Sequence, residues 1–138
     1  MSEKATFRAM RESLGLSQSN LAKQIGVHVK TIKNWEDPSV IALPPQKAWD
    51  EIHALSQKQG FLIRQSLKIL KEHPSKKISL TYYRDQKEFD EFSREKGLFS
   101  IANANSRAVY QAITQEGFSA YFAFPTDDDN IYFRSEDK

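Results

Sequence analysis

A very short turn between two amphipathic segments near the N-terminus constrains this 138-residue chain more than any other feature. The turn is Ile25-Gly26-Val27, and its central glycine permits the positive φ that a tight reversal requires. The segment before it runs roughly from Gln18 to Ile25 and follows Ser17, a good N-cap. The segment after it runs roughly from Val29 to Glu36. We therefore expect two helices that cross steeply, with Val27 filling the angle between them.

A further helical segment precedes these two and completes an expected three-helix domain. It runs roughly from Ala5 to Leu14, and Gly15 ends it. Apolar residues recur at helical spacing in all three segments, which predicts one shared core. The residues expected to face that core are Phe7, Met10, Leu14, Leu21, Ala22, Ile25, Ile32 and Trp35.

The third segment divides into an apolar face and a polar face. At about 100° per residue, Ile32 and Trp35 fall on one side, together with His28. If that side packs into the core, the opposite side forms an outward ridge of two cations, one amide and one aliphatic group. The ridge residues are Val29, Lys30, Lys33 and Asn34.

These ridge side chains suit the base edges of duplex DNA. Asn can pair with N6 and N7 of adenine, Lys can donate to O6 and N7 of guanine, and Val can contact a thymine methyl. The N-terminus of the second helix adds free amide protons at Gln18 and Ser19, where a phosphate can bind. The side chain of Gln18 can reach the same phosphate. The sequence therefore predicts a major-groove reader of double-stranded DNA.

Two motifs carry a family resemblance: Arg11-x-x-x-Gly15-Leu16-Ser17-Gln18-x-x-Leu21-Ala22-x-x-Ile25-Gly26-Val27 and Thr31-Ile32-x-x-Trp35-Glu36. Together they resemble the Cro and lambda-repressor family of XRE-like helix-turn-helix proteins. The resemblance implies an ion pair between Arg11 and Glu36, and base-reading positions at Val29, Lys30 and Asn34, with Lys33 at the edge. The residues expected to bind phosphate are Ser17, Gln18, Ser19 and Thr31.

Three features depart from the family pattern. His28 stands where the family usually has Ser or Thr as the cap of the third helix, and Asp37-Pro38 replaces the usual polar-Gly pair. The following loop has no Lys or Arg before Lys47, so fewer phosphate contacts are expected there. One subunit is therefore expected to bind DNA with modest affinity, so two subunits are expected to be needed.

The rest of the chain predicts a long helix and a small mixed segment. Helical periodicity runs from Pro45 to about Lys71, with Gly60 as a possible break. The apolar stripe from Trp49 to Leu70 fits either a core or a dimer seam. A boundary is expected near His73-Pro74-Ser75, between a DNA-binding domain with its long helix (residues 1–73) and a dimerisation domain (residues 74–138). The predicted fold class is α+β.

The C-terminal segment alternates between strand and helix signals. A helix is expected from the Asp85 cap to about Lys96, and another after a cap at Asn105. The expected strands are Ile78–Tyr82, Phe118–Phe124 and Ile131–Phe133.

This segment weakly resembles the tails of anti-CRISPR-associated repressors. The likeness rests on Leu80-Thr81-Tyr82-Tyr83 and on the region from Ser106 to Ile113. It implies a homodimer that binds an inverted repeat and represses its own operon. Two other interpretations remain open: an antitoxin-like tail that neutralises a partner protein, and RNA binding. In the second, bases would stack on Tyr82, Tyr83, Tyr121 and Phe122.

The composition argues against most other functions. The chain has no cysteine, and its three histidines have no metal-binding spacing, so neither a metal nor another cofactor is expected. The acidic run Asp127-Asp128-Asp129-Asn130 lacks the EF-hand pattern and predicts a solvated turn. No catalytic motif is visible, so an enzyme is not expected. With no apolar N-terminal region or membrane-length apolar run, a cytoplasmic protein is expected.

Overall fold

The computed structural model describes residues 2–127. Helices occupy the N-terminal half, and a two-stranded sheet with further helices follows, so the fold is α+β as predicted. The predicted strand Ile131–Phe133 and most of the acidic run lie outside the described residues. In chain order the elements are α1 (Glu3–Ser13), α2 (Gln18–Ile25), α3 (Val29–Glu36), α4 (Gln46–Glu72), β1 (Lys77–Thr81), α5 (Gln86–Phe92), α6 (Phe99–Gln115) and β2 (Ser119–Ala123).

Local capping residues set the bounds of the first three helices. The Ser17 hydroxyl accepts a hydrogen bond from the amide of Asn20 at 3.0 Å, and Gly26 ends α2 at a φ of 71°. The predicted bounds of α2 and α3 therefore match the observed ones. Helix α1 begins earlier than predicted, because the Ser2 hydroxyl caps it by accepting from the amide of Ala5.

The chain forms two compact units, Met1–Lys58 and Gln59–Lys138, which divide within α4. The boundary expected after residue 73 differs from this division. The cause is the apolar face of the second half of α4, which belongs to the C-terminal core. Helix α4 is continuous through Gly60, so the break considered at that glycine is absent.

The N-terminal unit has a core built around Phe7. The rings of Trp35 and Trp49 meet the Phe7 ring edge-on, with centroids at 6.2 and 5.1 Å. Ala48 and Ile52 of α4 are fully buried. The start of the stripe that begins at Trp49 is therefore core in this unit.

The C-terminal unit is built on two parallel strands. They pair in register from Lys77 opposite Ser119 to Thr81 opposite Ala123, and α5 and α6 lie in the connection between them. Leu70 of α4 packs with Val109 and Ile113 of α6 at the centre of the core. The partly buried residues around that centre are Leu62, Ile63, Leu67, Ile78, Leu80, Phe118 and Ala120.

Two predicted helix bounds in this unit were wrong. Helix α6 begins at Phe99, and Asn105 lies buried inside it, where its Oδ1 accepts a hydrogen bond from Gln59 at 3.2 Å. Helix α5 ends at Phe92 rather than near Lys96, because Ser93 turns extended and its hydroxyl accepts from the amide of Glu95.

Within residues 2–127, no helix is both long enough and apolar enough to cross a membrane.

Candidate nucleic-acid interface

The turn between α2 and α3 is closed by hydrogen bonds at both of its ends. The amide of Val27 donates to the carbonyl of Ala22 at 3.0 Å, and Gly26 supplies the left-handed residue. At the start of α3, Nδ1 of His28 accepts from the amide of Lys30 at 3.1 Å. His28 is therefore the N-cap of α3 and is exposed, whereas the helical periodicity had placed it on the inward side.

Helix α3 buries one face and presents the other. Ile32 and Trp35 are buried in the core of the N-terminal unit, as their spacing predicted. Lys30 and Lys33 are exposed. The other two ridge residues, Val29 and Asn34, are half-buried beside them, so the ridge consists of two projecting cations flanked by shorter side chains.

A buried ion pair fixes α3 against α1. Nε and Nη2 of Arg11 donate to the two carboxylate oxygens of Glu36 at 2.7 and 2.8 Å. A third donor, Nη1, reaches the carbonyl of Leu16 at 2.9 Å. Both side chains are almost fully enclosed. This two-point contact sets the rotation of α3 and hence the direction of the ridge.

The side chain of Gln18 joins the same network. Its Nε2 donates to Oε1 of Glu36 at 3.1 Å, so the amide group that was expected to bind phosphate is engaged within the protein. The first-turn amides of Gln18 and Ser19 have no acceptor within α2, because a helix leaves its first N–H groups unpaired. Ser17 and Ser19 are exposed at this helix end, and Thr31 is half-buried on α3.

A lysine from the start of the chain holds the far end of α3. Nζ of Lys4 donates to the carbonyls of Asn34 at 2.8 Å and Trp35 at 3.3 Å, and also to that of Ala42. The cation neutralises the partial negative charge at the helix C-terminus and ties the following loop to it. Sequence reasoning missed this contact, because no local pattern links residues thirty positions apart.

The loop after α3 is acidic and apolar rather than basic. The hydroxyl and amide of Ser39 donate to Oδ1 of Asp37 at 2.7 and 2.9 Å, and these bonds hold the pKa of Asp37 below its ordinary value. Further along, Ile41 is 95% exposed. This loop therefore offers no cation to a phosphate.

Comparison with known proteins gives a match over the same segment. Residues 7–36 match the family described as helix-turn-helix. No curated protein matches the chain. The matched span covers most of α1, together with the whole of α2, the turn and α3. Residues 7–36 are therefore a helix-turn-helix of the Cro and lambda-repressor type, the XRE class of DNA-binding regulator domains.

Proposed function

We propose that this protein is a sequence-specific transcriptional regulator that binds an inverted repeat as a homodimer and represses transcription, including that of its own operon. The observation that carries the proposal is the division of α3, with Ile32 and Trp35 buried and Lys30 and Lys33 exposed on the same two-turn helix. Such a helix can enter the major groove without unfolding any part of its own core.

The proposed interface separates base contacts from phosphate contacts. Lys30 and Asn34 supply most of the base selectivity, with Val29 and Lys33 beside them. The exposed start of α2 binds a backbone phosphate through the amides of Gln18 and Ser19. Ser17 and Thr31 extend those phosphate contacts at the edges. Because the loop after α3 lacks cations, one subunit makes few phosphate contacts, and two subunits are needed for tight binding.

The outer face of α4 is proposed to contribute to the dimer contact. Phe61 and Ile69 are 55% and 38% exposed. With Gln65 they recur every four residues and lie along one stripe. When two copies pair antiparallel about Gln65, Phe61 of one copy meets Ile69 of the other, so the stripe is complementary to itself. This extends to α4 the dimerisation that the sequence placed in residues 74–138.

Selection of bound fragments from random duplex DNA tests the main proposal. The expected result is a palindromic site whose half-sites are about 34 Å apart, because two recognition helices then enter successive major grooves on one side of the duplex. Recovery of unrelated fragments, with no shared motif, would overturn the assignment of a sequence-specific reader.

A second candidate function is an antitoxin-like module that binds a partner protein. The observation that favours it is the apolar loop Ile41–Leu43, in which both end residues are more than half exposed. A partner that co-purifies in equal amount with the untagged protein, and is lost on Ile41→Ser substitution, would support this role. RNA stacking on the C-terminal aromatics is less favoured, because one of the four expected stacking residues, Tyr83, already packs edge-on against Phe89, with the centroids 5.0 Å apart.

A further inference from the structure

A cavity of about 320 Å³ opens in the C-terminal unit, beyond the carboxyl ends of the two parallel strands. Parallel strands commonly present ligand sites at this edge, because the chain leaves the sheet there and side chains from several elements converge. The volume is at the lower end of the range for small-molecule sites. The lining residues are Tyr82, Arg107, Phe122, Ala123, Phe124 and Asp127.

The walls of the cavity are mainly aromatic. Phe122 and Phe124 are 39% and 40% exposed, although both are large apolar residues. The Tyr82 ring meets Phe122 edge-on, with the centroids 5.5 Å apart. An aromatic ring of a ligand placed among them would bury apolar surface on both partners.

Arg107 supplies the polar group of the cavity. Its Nη1 donates to the Tyr82 hydroxyl at 2.8 Å, and its guanidinium carbon lies 5.9 Å from the centre of that ring. Among residues 2–127 no carboxylate pairs with Arg107, whereas Arg11 pairs with Glu36 and Arg84 with Glu88. The guanidinium therefore keeps donors for an external anion.

The Tyr82 hydroxyl is oriented to assist Arg107. Because this oxygen accepts from Arg107, its own proton remains for another acceptor. A carboxylate at this position would receive charge-assisted bonds from Arg107 and one bond from Tyr82. Among the lining residues that the structure describes, the one carboxylate is that of Asp127, which accepts from the amide of Phe124 at 2.9 Å.

We propose that this cavity binds a small carboxylate that carries an aromatic ring, with the ring against Phe122 and Phe124 and the carboxylate on Arg107 and Tyr82. This binding does not depend on the DNA-binding proposal. Two kinds of molecule share this chemistry: simple aromatic acids and aromatic amino acids. Asp127 distinguishes them, because its carboxylate repels an anion and attracts an ammonium group.

Calorimetric titration of the full-length protein without DNA tests the proposal. The probes are phenylacetate, L-phenylalanine and the uncharged phenylacetamide. We expect at least one of the two carboxylates to bind and the amide to bind at least tenfold more weakly. Arg107→Gln should weaken the binding at least tenfold, and Tyr82→Phe several-fold. Arg94→Gln removes the same charge from an exposed position outside the cavity and should leave the binding unchanged.

The substitution Asp127→Asn then distinguishes the two kinds of ligand, simple aromatic acids and aromatic amino acids. It should strengthen binding of phenylacetate and weaken binding of phenylalanine. Three results would each overturn the proposal. They are an affinity for phenylacetamide equal to that for the carboxylates, an unaltered affinity in a folded Arg107→Gln variant, and no binding by either carboxylate. Since all titrations omit DNA, failure here leaves the DNA-binding proposal untouched, and the reverse also holds.

Discussion

At the scale of single residues, the carboxylate of Glu36 is a buried charge in the N-terminal unit and needs hydrogen-bond donors around it. It is buried and receives two hydrogen bonds from Arg11 and one from Gln18. Family resemblance implied the ion pair, because its two positions belong to the motif. The contact with Gln18 could not be inferred, because it depends on how α2 crosses the end of α3.

Removing one member of this pair should destabilise the N-terminal unit strongly. Arg11→Met leaves Glu36 buried without its cation, and the expected loss in the free energy of unfolding is about 3–5 kcal/mol. Urea denaturation measures it. The double variant Arg11→Met, Glu36→Leu should lose less than the sum of the two single variants. Strict additivity would mean that the two side chains do not interact in solution.

Base readers and phosphate binders should give different mutational signatures. Lys30→Ala and Asn34→Ala should each cost about 1–3 kcal/mol on the preferred site and relax the choice at one or two base pairs. Gln18→Ala should weaken all sequences alike, since it disturbs the start of α2. The control is Gln24→Ala, a substitution at an exposed position of α2, which should leave DNA binding unchanged. Competition binding against single-base variants of the site measures these effects, and uniform weakening by all three substitutions contradicts the base-reader assignment.

The pair of Arg84 and Glu88 predicts a dependence of stability on pH. Hydrogen bonds from the Arg84 side chain hold the pKa of Glu88 below its ordinary value of 4.5. The carboxylate therefore stabilises the fold fully above that pH, and the contribution disappears as the pH falls through the lowered pKa. Glu88→Gln should be less stable than the wild type at pH 7, and the difference should shrink in acid. Thermal melts of both proteins from pH 7 to pH 3 measure it, and a constant difference would exclude the ion pair as its cause.

At the scale of elements, local signals determined which bounds could be predicted. Helix α2 begins at the cap Ser17 and ends at Gly26, and α3 begins at the cap His28. Each of these residues acts through hydrogen bonds within a few residues of itself. The start of α6 was missed because Asn105, which looks like a cap, instead bonds to Gln59 of another helix. Tertiary contacts of this kind override a local capping preference.

The cap of α3 can be tested through His28. His28→Ala removes the acceptor for the amide of Lys30 and should cost about 1 kcal/mol of stability, whereas His28→Ser restores a cap and should cost little. Chemical denaturation of the two variants compares them directly. If alanine and serine prove equivalent, the imidazole does not cap α3.

At the scale of the whole molecule, the α+β class and the helix-turn-helix followed from periodicity and motif spacing. The boundary between the two compact units could not be predicted from periodicity or motif spacing. Helix α4 is uniformly periodic, and only packing reveals that Ile52 belongs to one core and Leu70 to the other. A sequence pattern indicates that a face is buried but not which neighbour covers it.

The proposed antiparallel pairing of α4 predicts a specific cross-link. The chain has no cysteine, so a single Gln65→Cys substitution introduces the only thiol. Since Gln65 lies on the proposed twofold axis, mild oxidation should yield a disulfide-linked dimer in high proportion. Gln111→Cys, exposed on α6, is the matched control and should remain monomeric on a non-reducing gel. A mixture of Phe61→Cys and Ile69→Cys should cross-link to each other more than to themselves, and the opposite pattern would exclude this register.

The contact made by Lys4 links α1 to the C-terminal end of α3. Its ammonium group donates to the carbonyls of Asn34 and Trp35, so Lys4 supports the C-terminal end of the helix that we propose reads the bases. Acetylation of the Lys4 side-chain amine would remove this contact without altering any group that we propose contacts DNA. If α3 reads DNA as proposed, the accuracy of that reading can be adjusted at Lys4, which is not one of the residues proposed to contact DNA.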